Sequence, residues 1–226
     1  MRVVTFLFCA FLSIFPAASN ASLITTNFSG VLTGQFGPIP TQLSSIYSIG
    51  ESFSGRYVYD SGLPAYVLQE DTNWYDGFSE LTITIGSNTW SAPMAWAQLT
   101  NNQGGVDVFQ VDAGTSPGGV YDMVGPTVNG YKLAMPQIQF LDNSGSVFST
   151  KDLPTAPLNL QQFSNGYATL LFANTSYQYA GIWGQVNSLS GSISPVPLPA
   201  AAWLLISGAG LLGAAAKRRK IPAVQA

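Results

Sequence analysis

The sequence predicts an all-β central domain, an antiparallel β-sandwich or jelly roll, flanked by two apolar ends. Three observations carry this expectation. Between Ser22 and Ile193 no apolar spacing of helical period persists, and alternation of apolar and polar residues takes its place. Clusters of Gly, Asn, Ser and Pro interrupt the segment at 101–105, 114–119 and 143–145. Finally, Gly86-Ser87-Asn88 joins the alternating run 81–85 to Thr89-Trp90 in the manner of a β-hairpin.

The N-terminal end comes first. Arg2 precedes an apolar run from Val3 to Phe15, then Pro16 and small residues. A basic start, a short apolar run and a small-x-small exit describe a secretory signal peptide over 1–21. Ser19 and Ala21 stand at the −3 and −1 positions, which places cleavage between Ala21 and Ser22 and makes signal peptidase and the general secretion machinery the first partners. Cys9, the only cysteine, lies inside this segment and has no lipobox before it.

Residues 22–193 form the predicted domain. In 52–60, Phe53, Gly55, Tyr57 and Tyr59 share one face, and Ser52, Ser54, Arg56 and Asp60 the other. Further strands are expected at 27–36, 81–85, 94–100, 106–112, 132–142, 146–150, 167–173 and 182–193. Pro136 within its run requires an edge position or a bulge. About 170 residues suffice to bury most of the surface that their unfolded chain exposes.

Composition excludes several classes of chemistry. There is no histidine and no cysteine after Cys9, so Ser-His-Asp and Cys-His nucleophiles and His/Cys zinc sites are absent. All eleven acidic residues lie in the central segment with only Arg56, Lys132 and Lys151 to oppose them, which argues against nucleic-acid binding. Catalysis would have to rest on carboxylates alone, as in a glycoside hydrolase. Asp107 and Asp112, five apart, face opposite sides of one strand, whereas Glu70, Asp71 and Asp76 fall in an expected loop with Glu80 after it. Solvated surface acids explain these equally, and the expectation is a protein that is not an enzyme.

Two ligand-binding alternatives remain. Asp71, Asn73 and Asp76-Gly77 approach calcium-loop spacing, but the glycine is one place late and Thr82 stands where a carboxylate is needed. Calcium is therefore the only cofactor considered, and no metal site is assigned. The aromatics Trp74, Tyr75, Trp90, Trp96, Trp183, Tyr121 and Tyr131 offer stacking faces for sugar rings, or else fill the core. Trp74-Tyr75 is the best exposed candidate because polar residues surround it. The domain then acts either as a non-catalytic surface protein or as a carbohydrate-binding module.

The C-terminal end reads Ser194-Pro195-Val196-Pro197-Leu198-Pro199, then residues 200–216 without a charge, then Lys217-Arg218-Arg219-Lys220 and the tail 221–226. Seventeen helical residues rise about 25 Å, slightly less than a hydrocarbon core of about 30 Å, and counting from Val196 closes the gap. The basic cluster holds the C-terminus in the cytoplasm.

The motif Val196, Pro197, Leu198, Pro199, Ala200, followed by Ala201-Ala202-Trp203-Leu204-Leu205, an apolar stretch and the basic cluster, resembles the VPLPA variant of the PEP-CTERM sorting signal. The likeness covers about a ninth of the chain, with 221–226 as a modest departure. A looser similarity to PEP-CTERM ectodomains runs through Gly50–Asp60, Leu81–Gly86 and Trp183–Leu189. The resemblance implies an exosortase, a membrane transpeptidase, as partner. It implies a precursor anchored in the inner membrane of a bacterium and then passed to the cell surface or an exopolysaccharide and biofilm matrix.

Overall fold

The computed structural model describes residues 21–36, 47–114 and 122–195. The expected signal peptide, apart from its last residue Ala21, lies outside the described residues, as do the proline motif, the transmembrane segment, the basic cluster and Tyr121. No helix among the described residues is long and apolar enough to cross a membrane.

The described chain is nearly all antiparallel β. Its strands are β1 (Ser22–Phe36), β2 (Ser52–Asp60), β3 (Val67–Leu68), β4 (Thr72–Phe78), β5 (Glu80–Ile85), β6 (Asn88–Ala92), β7 (Ala95–Gln103), β8 (Val106–Asp112), β9 (Tyr131–Asp142), β10 (Asn165–Asn174) and β11 (Tyr179–Pro195). A single turn of 3-10 helix, Leu160–Gln162, is capped by the Asn159 side chain. The strands form one continuous sheet in the order β3-β4-β7-β8-β9-β10-β11-β1-β2-β5-β6.

Alternation decides which side of each strand is buried. In β5, Leu81, Ile83 and Ile85 are wholly buried while Thr82 and Thr84 are only partly so. Each such aliphatic side chain contributes roughly 1.5–3 kcal/mol by leaving water. The sheet curls, so strands distant in its order meet across the core. Tyr59 of β2 stacks on Phe78 of β4 at 4.7 Å, and Tyr57 lies 6.0 Å from Phe109 of β8. A second aromatic group joins Tyr47, Trp90 and Phe172.

Two expectations need correction, and a third, at Pro136, is met by its bulge alternative. The segment around Trp74 is not a loop but strand β4, hydrogen-bonded to β7 from Thr72↔Thr100 to Phe78↔Ala95. Its alternation is hard to see because Asn73 takes an inward position and Gly77 supplies a bulge at φ 100°. Residues 146–150 form no strand. They wrap over the end of the sheet, where the Phe148 N–H donates to the Asp107 carboxylate. Pro136 is not at an edge, since β9 lies between β8 and β10. Its carbonyl accepts from Ala113 on the β8 side, so the missing N–H also faces that side, where the β8 ladder has ended. A register shift beside it, between Leu171 and Phe172, supplies the bulge.

Candidate functional site

The pairing registers align the outward-facing residues of seven strands into two neighbouring rungs. One runs Asp76, Trp96, Asp112, Gln137, Thr169, Trp183 and Gly34. The next runs Trp74, Gln98, Gln110, Gln139, Tyr167, Gln185 and Val31. Both exist because the core takes the alternate residues: Tyr75, Ala97, Val111, Ile138, Ala168 and Ile182 are all buried.

Each end of these rungs is aromatic. Trp74 and Trp96 lie with ring centroids 5.0 Å apart on β4 and β7. On β10 and β11, Tyr167 is 42% and Trp183 46% exposed, and Trp183 stacks on Phe36 at 5.1 Å. Trp96 and Trp183 are four strand steps apart, about 19 Å along the sheet, the length of a short oligosaccharide.

Between the aromatic ends lies a polar band. The Gln139 amide donates to Gln110 Oε1 at 2.8 Å, and the Gln110 amide donates to Asp112 Oδ2 at 2.7 Å. Asp112 is 94% buried, and burial pushes its carboxyl up to about 7 although the amides of Gln110 and Gln137 draw it down. The Thr72 and Thr100 hydroxyls share a buried hydrogen bond of 2.8 Å, and Gln98 donates to Thr100. Two buried atoms on this face, Trp74 Nε1 and Asp76 Oδ1, have no hydrogen-bond partner among the described residues.

The sequence-predicted residues separate accordingly. Trp74 is on this face, but Tyr75 points inward, is 2% exposed and donates its hydroxyl to the Lys151 carbonyl. It cannot stack on an external sugar. Trp90 is wholly buried with its Nε1 donating to the Pro126 carbonyl, and Tyr131 is likewise buried. Asp71 and Asn73 line a polar depression with Glu70 and Asp152, whereas Asp76 projects from the other face of β4. Asp76 therefore stands apart from Asp71 and Asn73, and the structure does not bring the three together.

The remaining acids have partners or separate positions. Glu80 forms a bidentate ion pair with Arg56 at 2.7 and 2.9 Å. Asp107 and Asp112 occupy opposite faces of β8, as their spacing requires. The Asp107 carboxylate accepts from the N–H groups of Asn102 and Phe148. Asp142, opposite it on β9, accepts from the N–H groups of Ser144 and Ser146, which hold its carboxyl down at about 2. Both carboxylates fasten loops.

Sequence reasoning missed Asp112, Gln98, Gln110, Gln137, Gln139 and Tyr167 as members of one site. The signal was the alternation Gln110-Val111-Asp112 and Gln137-Ile138-Gln139, which only strand order could bring together. No protein-family model, curated protein or solved structure matches the chain.

Proposed function

We propose that this chain is an exported surface or extracellular-matrix protein, sorted by an exosortase, whose β-domain holds polysaccharide without cleaving it. The observation that carries the ligand-binding part is the pair of rungs. Two neighbouring indoles, tilted 30° to each other, at one end, a glutamine and carboxylate band, and exposed Tyr167 and Trp183 at the other suit a sugar chain lying across the strands. Sugar rings present apolar faces to aromatics and hydroxyls to planar amides, and this face supplies both.

The sorting part rests on the sequence of the tail. A signal peptide, a proline motif, an uncharged stretch and a basic cluster together support export followed by transfer to the envelope or matrix. The finer architecture belongs to the same reading. An antiparallel sandwich of jelly-roll type is supported by the rings of β2 that meet β4 and β8 across the core.

The test is affinity electrophoresis of the full chain in polysaccharide-containing gels, with Trp96→Ala and Trp183→Ala beside the parent. Each variant should lose retention roughly three- to tenfold with an unchanged circular dichroism spectrum. Retention equal to the parent's in both variants overturns the reading.

A further inference from the structure

We propose that the polysaccharide held on this face carries free amino groups, seated as ammonium against the Trp96 indole between the Asp76 and Asp112 side chains. The proposal rests on the polysaccharide reading above and specifies its chemistry.

The geometry is a carboxylate, an indole and a carboxylate on three adjacent strands. Asp76 pairs with Trp96, and Trp96 pairs with Asp112. The two carboxylates are two strand steps apart, about 10 Å, with an aromatic platform between them. An aromatic face attracts a cation, more strongly where water is excluded.

The hydrogen-bond inventory of the face has the matching gaps. Asp76 Oδ1 is a buried acceptor without a donor, and an ammonium N–H supplies one. Trp74 Nε1 is a buried donor without an acceptor, and a sugar hydroxyl beside the amine supplies that. A buried polar atom without a partner is destabilising, so a ligand that completes both is favoured over one that completes one. Asp112 points the same way. Its burial favours the uncharged carboxyl, and an adjacent ammonium would favour the ionised form.

Among the described residues no cation competes for this position. Arg56 is engaged by Glu80, Lys151 donates to the carbonyl oxygens of Gln69 and Glu70, and Lys132 stands outside both rungs. The two rungs thus hold two carboxyl groups and, among the described residues, no basic side chain, Lys132 lying beyond them on the same side of β9. That disfavours a uronic-acid polymer and leaves neutral and amino-bearing sugars, of which the amino-bearing one answers the geometry.

The experiment is titration calorimetry of the full chain in detergent, at pH 6, with four probes of equal length. These are glucosamine oligomers, their fully N-acetylated counterparts, glucose oligomers and uronic-acid oligomers. Glucosamine oligomers should bind about tenfold tighter than the N-acetylated ones. Asp76→Asn and Asp112→Asn should each cut that ratio to about threefold or less, the ratio being read from both oligomers on the same variant. Asp76→Asn serves alone if Asp112→Asn fails to fold. Equal affinity for free and acetylated amines, or a preference for uronic acids, overturns the amine proposal and leaves polysaccharide binding standing. Binding of none of the four overturns both.

Discussion

Trp183 lies flat over Gly34: a β-carbon built on that glycine would stand 1.6 Å from the indole Nε1. Across the same strand pair, Phe36 covers Gly181, whose β-carbon would be 1.9 Å from the ring. The two glycines let β1 and β11 carry a stacked aromatic pair close against the backbone.

Gly34→Ala should therefore displace the indole without unfolding the sheet, because the obstructing atoms belong to a half-exposed side chain. The expected result is a shift in tryptophan fluorescence and a polysaccharide retention as low as that of Trp183→Ala. Gly30→Ala is the contrast. Its β-carbon would meet the Gln185 carbonyl oxygen at 2.0 Å, and backbone cannot swing aside. That variant should lose at least about 2 kcal/mol in denaturant unfolding.

Asp112 gives a pH dependence of unusual sign. Its carboxyl is raised to about 7 in the folded chain, so between the ordinary carboxylate range and pH 7 the folded state binds more protons than the unfolded one. Stability should fall as pH rises through this window, by an amount on the order of 4 kcal/mol. Asp112→Asn should flatten that slope, as measured by urea unfolding at a series of pH values.

Asp142 acts in the opposite direction and in a separate window. Its carboxyl is held near 2 by N–H and hydroxyl donors from Ser144 and Ser146, so its contribution is present above pH 4 and lost as pH falls toward 2. Asp142→Asn should remove the acid limb of the same curve. Asp107→Ala, which strands the Asn102 and Phe148 N–H groups, should cost about 2–4 kcal/mol at neutral pH.

The processing of the two ends is testable directly. The proposed cleavage after Ala21 would free Ser22, the first residue of β1, whose N–H donates to Ser61 Oγ at 3.0 Å. N-terminal sequencing of the exported protein should begin at Ser22, and a retained Met1 refutes the signal peptide. Replacing Pro197 and Pro199 with alanine should leave insertion intact but block release, because prolines keep a cleavable segment extended. The uncut form should still carry Lys217–Lys220 by intact-mass analysis. Processing like the parent's would mean that the tail is a plain anchor.

Much of the fold was legible because alternation is a local signal. β2, β5, β8 and β10 follow from their own residues, and the hairpin between β5 and β6 follows from Gly86 at φ 55°. What escaped was non-local. β4 hid because Asn73, inside the expected loop, is buried by Tyr75 and the Lys151 carbonyl, to both of which its amide donates. The candidate face was half visible, since Trp74, Trp96 and Trp183 attract notice as aromatics. Their alignment with Asp112 and five glutamines depends on a strand order that skips from β4 to β7 and from β11 to β1. Nothing in the spacing of the sequence encodes that order.

The antiparallel ladder between β1 and β11 begins at Ser22↔Pro195, so the first and last strands of the domain lie side by side in the interior of the sheet. During synthesis the opening strand must wait, unpaired on that side, until the closing strand has emerged. Folding is then governed by the slowest kind of contact, one whose partners are separated by nearly the whole domain. Shortening from the C-terminus into β11 would first unpair β1 alone, and would reach the β10 ladder only at Gln185. Trimming there therefore costs the sheet in two stages: first the opening half of β1 loses its partner, and then the middle of the sheet is lost.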